Sequence, residues 1–294
     1  MNDQQQGQLK QAEANLKAGQ FAQATTTLLA LYDESDDEAI LAPLAQGLLG
    51  QHKVTEANRL IDDHFSYFVN HQLELMLEIL VADQRFVAAH IIMEQLPAAQ
   101  TEKLRGQLYQ AEAATKPNGK IVRQFKHLGA FPVARQRQIS EQAEQLPIDV
   151  YQAAVQQNLL DPDVHPVWRL QLLNNLMRLR ISTPSSFLWI DGKQYQAVPS
   201  QLVDSTDSAA YHQLLDLLTT KYGQTDPIQQ AQLQALMQVE LQNLFPFVDQ
   251  LVDNPEQWLT EFERQSRGEL PEKATTTAGK WLNQVEMLMT NLID

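Results

Sequence analysis

The most informative part of this sequence is a motif that begins at Gly19-Gln20-Phe21-Ala22-Gln23-Ala24. Related segments follow at His52-Lys53-Val54-Thr55-Glu56-Ala57 and at Gln84-Arg85-Phe86-Val87-Ala88-Ala89. The final alanines of the three segments lie 33 and 32 residues apart. A near-constant interval of this length is typical of proteins that are built from stacked helical repeats.

Apolar residues precede and follow each of these alanines at helical spacing. One apolar residue lies three positions before each alanine, and others lie further along the chain. The later positions are Leu28 and Leu31 in the first unit, Leu60 and Ile61 in the second, and Ile92, Met93 and Leu96 in the third. The pattern predicts a helix, a short turn and a second helix in each unit, in which the small alanine allows close packing.

The first unit resembles the tetratricopeptide-repeat (TPR) family, whose pattern has a glycine, an aromatic residue two positions later and an alanine three positions after that. Gly19, Phe21 and Ala24 occupy these positions. The later units keep the alanine, and the third also keeps the aromatic residue as Phe86. The resemblance covers about residues 5–100, and it implies an α-α superhelix of helix hairpins.

The predicted fold is therefore all-α, with TPR-like helix hairpins over 1–115 and a second helical region over 116–294. In the second region, aromatic and β-branched residues flank Asp191-Gly192. Asp-Gly between such runs is a strong signal for a two-residue turn, which predicts a small β-hairpin near 186–198. Ahead of this hairpin, Asp163-Val164-His165-Pro166-Val167-Trp168 leads into a predicted helix. With these features the segment 160–200 is similar to uncharacterised TPR proteins of Gram-positive Firmicutes, which implies an architecture and no reaction.

Proline positions and apolar periodicity predict the remaining helices, because proline is tolerated in the first turn of a helix. These helices are expected at about 134–145, 148–158, 166–180, 207–222, 226–252, 255–267 and 275–292.

Composition restricts the chemistry and the location of the chain. It has no cysteine, which excludes disulfides, Cys-ligated zinc and a thiol nucleophile, and which fits a reducing compartment. The first ten residues are polar and unlike a signal peptide, and no run reaches the roughly 18 apolar residues of a spanning helix. We expect a soluble, cytoplasmic protein that does not associate with membranes.

No local motif for catalysis or cofactor binding is present. The sequence has no His-Glu-x-x-His zinc motif, no complete phosphate-binding loop and no Gly-x-Ser-x-Gly elbow. His64 aligns with the packing positions Leu31 and Leu96 of the other units, so we expect a hydrogen-bonded core histidine. The prediction is a protein without enzymatic activity, metal or cofactor. An enzyme whose Ser, His and Asp converge from distant positions is the third hypothesis.

The TPR resemblance also implies a binding surface on the inner face of the first helix of each unit. TPR domains that grip a C-terminal carboxylate carry Lys and Asn on this face. The aligned candidates in this chain are acidic or neutral instead: Glu13, Gln46, Glu74 and Glu78. The leading prediction is a non-catalytic scaffold that binds a basic or apolar segment of an unidentified protein partner in the concave groove of the stack.

A basic window interrupts this acidic chain, whose net charge is −14. Residues 113–140 contain no Asp or Glu, whereas residues 1–112 carry 16 acidic and 7 basic side chains. The candidate anion-binding residues in the window are Lys120, Arg123, Lys126, Arg135 and Arg137. The alternative function is therefore nucleic-acid or phosphate-ligand binding. The competing explanation is that these cations neutralise acidic helices of the same chain.

Overall fold

The computed structural model describes residues 1–269, 271, 273–290 and 292. This part of the chain is mostly helical and contains one two-stranded antiparallel sheet, which confirms the predicted fold class. It divides into two compact units. The first comprises 1–118 and 143–151, and the second comprises 119–142 and 152–294.

Helices of the first unit pack against one another in sequence order. They are α1 (Asp3–Lys17), α2 (Phe21–Glu34), α3 (Leu41–Gly50), α4 (Val54–Asp63), α5 (Phe65–His71), α6 (Leu73–Ala82), α7 (Phe86–Gln95) and α8 (Ala98–Ala114). In addition, α1 contacts α3, α3 contacts α6, and α6 contacts α8. The first helices of successive pairs therefore lie side by side in a row.

Three turns between the paired helices have the same backbone geometry. Gly19, His52 and Gln84 occupy equivalent positions, with positive φ angles of 73°, 59° and 58°. A hydrogen bond closes each turn, running from the N–H of the next residue to a carbonyl five residues earlier: Gln20 to Asn15, Lys53 to Leu48, and Arg85 to Leu80. This is the arrangement of a helix that ends on a left-handed residue and satisfies its last carbonyls.

The alanines of the repeated motif lie inside the core of the first unit. Ala24, Ala57 and Ala89 are each completely buried. The surrounding core extends from Leu9 to Leu108, and each fully buried Leu or Ile in it contributes roughly 1.5–3 kcal/mol of burial free energy. The repeat therefore continues through all three pairs, although the short helix α5 is inserted between the second pair and the third.

The second unit contains helices and the β-hairpin. The helices are α9 (Gly119–Lys126), α10 (Val133–Ala143), α11 (Ile148–Asn158), α12 (Pro166–Arg178), α13 (Ala209–Tyr222), α14 (Pro227–Asn243), α15 (Val248–Leu251), α16 (Pro255–Ser266) and α17 (Thr277–Thr290). The end of α10 and the start of α11, residues 143–151, belong to the first unit. Within the second unit, α13, α14, α16 and α17 pack together.

The β-hairpin consists of β1 (Ser185–Leu188) and β2 (Gln194–Ala197), with Phe187 opposite Tyr195. Its turn differs from the predicted two-residue turn. The Trp189 N–H donates to the Lys193 carbonyl at 2.9 Å, which leaves three residues in the connection. Gly192 has a φ of 77° at the end of this connection, as expected for a three-residue hairpin loop.

The helix predicted at 226–252 is interrupted. Helix α14 ends at Asn243, and α15 begins at Val248, with Pro246 between them. Proline has no N–H to donate to a helical hydrogen bond, and its ring obstructs the preceding turn. Among the described residues, no helix has both the length and the apolar character needed to cross a membrane.

Candidate functional site

A groove of about 900 Å³ lies on the first unit. Its walls come from α1, α3 and α6, which are neighbours in the row of first helices, with side chains from α2 and α5. All four residues predicted for the peptide-binding surface line this groove, and all are exposed: Glu13, Gln46, Glu74 and Glu78. The helical stack thus brings together positions that are more than sixty residues apart in the sequence.

The charged side chains of the groove are mainly acidic. Glu13, Glu74 and Glu78 supply three carboxylates, and Lys17 supplies one ammonium group. Glu74 Oε1 lies 3.2 Å from Lys103 Nζ, but both side chains are exposed, so this pair contributes little stability and the carboxylate stays accessible. A ligand in this groove meets an excess of negative charge.

Apolar surface lies between the carboxylates. Leu16, Leu49 and Leu75 line the groove together with the ring of Phe21. This ring lies against Gly50, where a Cβ atom would overlap its Cδ1 and Cγ atoms. The aromatic residue of the repeated motif is therefore part of the groove wall, and glycine at position 50 makes room for it.

Tyr67 of α5 adds a hydroxyl group to the wall. Burial raises the pKa of Tyr67 above its ordinary value, against the opposing effect of its hydrogen bond with Gln72. The hydroxyl group therefore remains protonated at neutral pH and can act as a hydrogen-bond donor. The groove combines carboxylate acceptors, neutral hydrogen-bonding groups from Tyr67, Gln46 and Gln72, and apolar side chains.

The structure places the five basic candidates on two helices of the second unit. Lys120, Arg123 and Lys126 are exposed on α9, a helix that the sequence analysis did not predict. Arg137 forms an ion pair with Glu141 at 2.8 Å, and Arg135 donates a hydrogen bond to Gln138. Arg135 and Arg137 are therefore already engaged by neighbours on their own helix, and the neighbour of Arg137 is an acid just beyond the basic window.

His64 makes the predicted hydrogen-bonded contact, because its Nε2 lies 2.7 Å from Tyr32 Oη. The side chain is only half-buried, however, and His64 lies between α4 and α5 rather than within a helix. The insertion of α5 accounts for this difference. Because α5 begins at Phe65, α4 ends at Asp63, which is earlier than the repeat spacing suggested.

Sequence analysis missed a buried pair formed by His90 and Glu112. His90 Nε2 lies 3.1 Å from Glu112 Oε2, although not in line for a hydrogen bond, and both side chains are at most 6% exposed. Glu112 Oε1 accepts a hydrogen bond from the Ile148 N–H at 3.0 Å. His90 lies on α7 and Glu112 on α8, and single polar residues on two separate helices gave no local signal for this contact. Its position inside the first unit indicates a structural role for the pair.

Across the described ranges, no three His, Asp or Glu side chains come together in an arrangement that could hold a metal ion. Comparison with known proteins gives no match to this chain among protein-family models, curated proteins or solved structures.

Proposed function

We propose that the first unit is a TPR-like stack whose groove binds a basic segment of a partner protein, and that the protein is a non-catalytic cytoplasmic scaffold. The observation that carries this proposal is the convergence of Glu13, Gln46, Glu74 and Glu78 on one groove. The recurring left-handed turns and buried alanines support the TPR-like assignment, and the absence of cysteine supports a reducing compartment.

The charge of the groove favours a basic segment over an acidic one. Three carboxylates against one ammonium group attract a Lys- or Arg-containing peptide and repel one rich in Asp or Glu. Apolar side chains of the same segment would pack against Leu16, Leu49 and the Phe21 ring. Burial of such anchors supplies affinity, whereas the charges supply selectivity and association rate.

The test uses two fluorescein-labelled peptides of equal length, one of Lys and Leu and the other of Glu and Leu. Fluorescence anisotropy with the full chain should show binding of the Lys/Leu peptide, weakening as salt is added, and much weaker binding of the Glu/Leu peptide. The triple variant Glu13→Gln, Glu74→Gln and Glu78→Gln should lower the affinity for the Lys/Leu peptide about tenfold.

A charge-matched control separates groove binding from general attraction to an acidic protein. The triple variant Glu34→Gln, Glu56→Gln and Glu102→Gln removes three exposed carboxylates of the same unit that do not line the groove. It should bind the Lys/Leu peptide almost as tightly as the unmodified chain. Equal losses of affinity for the Lys/Leu peptide in the two triple variants would refute the proposal, and so would equal binding of the two peptides.

The basic window supports a second candidate function, the binding of a phosphate-bearing ligand. Arg123 and Lys126 are exposed on one short helix and form no ion pair within the described part of the chain. A fluorescent single-stranded oligonucleotide is the probe. Binding that falls steeply with salt and is abolished by Arg123→Glu with Lys126→Glu would favour this function. Binding that is absent, or insensitive to both changes, would reject it.

A further inference from the structure

A cavity of about 300 Å³ in the second unit has the features of a small-molecule site and is independent of the proposed peptide groove. Helix α12, the 3₁₀ turn Ser205–Asp207 with the residue before it, and the end of α14 form its walls. Val167, Leu170 and Phe245 give it an apolar surface. This volume is at the lower end of the range for ligand pockets, about 300–1,000 Å³, so it suits a small metabolite.

Asp204 provides the negative charge of the cavity. Its Oδ1 accepts hydrogen bonds from the Thr206 N–H at 3.0 Å and from Thr206 Oγ1 at 2.9 Å. Burial disfavours ionisation, but these hydrogen bonds, helped by one from Asn174, hold the pKa of Asp204 below its ordinary value. Asp204 is therefore a fixed carboxylate at neutral pH, held in place by the turn that it caps.

Three amide side chains of the lining have their nitrogen atoms engaged by the protein. The donations are from Gln171 Nε2 to Asn175 Oδ1 at 3.2 Å, from Asn174 Nδ2 to Asp204 Oδ2 at 3.3 Å, and from Asn243 Nδ2 to the Val239 carbonyl at 2.8 Å. The carbonyl oxygens of these three amides accept no hydrogen bond from the described residues. A ligand that carries hydrogen-bond donors can use them.

Arg178, at the end of α12, provides the positive charge. Its guanidinium group forms no salt bridge or hydrogen bond within the described part of the chain, although it lines the same cavity as Asp204. A guanidinium group presents several N–H donors in one plane and binds a carboxylate through two parallel hydrogen bonds. The cavity thus carries two opposite charges that do not neutralise each other by direct contact.

We propose that this cavity binds a free α-amino acid, with its carboxylate on Arg178 and its ammonium group toward Asp204 and the free oxygen of Asn174. The side chain of the ligand would pack on Val167, Leu170 and Phe245. A zwitterion satisfies both charges of the cavity at once. An anion without an ammonium group would face the Asp204 carboxylate, and a cation without a carboxylate would face the Arg178 guanidinium.

The experiment is isothermal titration calorimetry of the full chain with L-leucine, followed by the other standard amino acids as probes. At least one should bind in the millimolar range or tighter. The matched analogues of leucine are isocaproate, which lacks the ammonium group, and isopentylamine, which lacks the carboxylate. Each analogue should bind at least about tenfold more weakly than leucine, because one charged hydrogen-bonded contact is lost. If another amino acid binds better than leucine, the analogues of that amino acid are compared with it in the same way.

Arg178→Gln tests the assignment of the carboxylate site. Since this side chain is exposed and forms no hydrogen bond or salt bridge with the described residues, the variant should fold normally, and it should bind the amino acid at least about tenfold more weakly. Lys280→Gln, which removes one exposed positive charge elsewhere in the second unit, is the control and should leave binding unchanged. Gln242→Ala is a second cavity variant that should also weaken binding.

The proposal is overturned if no standard amino acid binds at millimolar concentration. It is also overturned if the analogue without the ammonium group binds as tightly as the amino acid, which would make the cavity a simple anion site. Equal binding to the Arg178→Gln and Lys280→Gln variants would place the ligand elsewhere. None of these results depends on peptide binding by the first unit, so the two proposals fail or succeed separately.

Discussion

The ring of Phe21 lies against the backbone of Gly50, so closely that a Cβ atom at position 50 would overlap the ring. Phe21 begins α2, and Gly50 ends α3. The contact therefore joins the second helix of one pair to the first helix of the next, at the wall of the groove. A neighbouring glycine, Gly47, makes similar room for Thr25. The spacing between the first helix pair and the second depends on these two positions.

Replacing Gly50 with alanine should destabilise the chain by about 1–3 kcal/mol, because the added methyl group displaces the ring. Urea unfolding measures the effect. Gly7→Ala, in the exposed middle of α1 with open space around it, is the control and should stabilise by roughly 0.5–1 kcal/mol. In a Phe21→Ala background, the cost of Gly50→Ala should largely disappear. An unchanged cost in that background would show that the ring is not its cause.

The equivalent turns predict opposite effects of glycine and alanine substitutions. His52 and Gln84 have left-handed φ angles that cost a residue with a side chain about 1 kcal/mol. His52→Gly and Gln84→Gly should therefore stabilise the chain by about 0.5–1 kcal/mol, whereas Gly19→Ala should destabilise it by about 1 kcal/mol. The neighbouring Gln51 has a φ of −90°, so Gln51→Gly should not stabilise. Thermal unfolding of the four variants measures whether their stabilities follow this order.

The buried Glu112 should hold the segment 143–151 through its hydrogen bond to the Ile148 N–H. Glu112→Ala removes this acceptor and leaves His90 without its carboxylate, which should cost about 2–3 kcal/mol. Hydrogen exchange at the Ile148 amide should accelerate. Glu112→Gln keeps an acceptor oxygen and should protect that amide better, and Glu102→Ala, on the exposed side of α8, should have no effect. Unchanged protection in Glu112→Ala would contradict this role.

Glu240 should make stability fall as pH rises. Burial, reinforced by the nearby Glu286 charge, raises the pKa of Glu240 from 4.5 to about 7. The folded state therefore holds a proton that the unfolded chain releases, so this group stabilises most below about pH 4.5 and its contribution is lost as pH rises through 7. The loss amounts to about 3 kcal/mol.

The measurement is the difference in unfolding free energy between Glu240→Gln and the unmodified chain at several pH values. As pH rises from 4.5 to about 7, the variant should become more stable relative to the unmodified chain, because its amide never ionises. Glu256→Gln, which removes an exposed carboxylate from the same unit, should follow the unmodified chain across this range. A pH-independent difference for Glu240→Gln would show that its carboxyl group titrates normally.

Local pattern predicted the helix pairs and the hairpin because both depend on residues that are close in sequence. The interval between Ala24, Ala57 and Ala89 places one small side chain in the same position of each pair, and all three are buried. Aromatic and β-branched residues around Asp191-Gly192 predicted the strands, although a hydrogen bond across the turn made the connection three residues long. The break at Pro246 was missed, because the apolar periodicity on both sides suggested one continuous helix.

What the sequence by itself determined is the helical character of the chain and the interval at which its alanines recur, whereas the four groove residues were predicted from the resemblance to the TPR family. Helix periodicity assigns each side chain to a face, and this follows from spacing alone. The tertiary structure decided which faces meet. Packing angles brought Glu13 into one groove with Glu78, buried His90 against Glu112, and placed Arg178 in one cavity with Asp204. Such contacts join residues distant in sequence, and their free energy depends on the arrangement of whole helices, which no local pattern encodes.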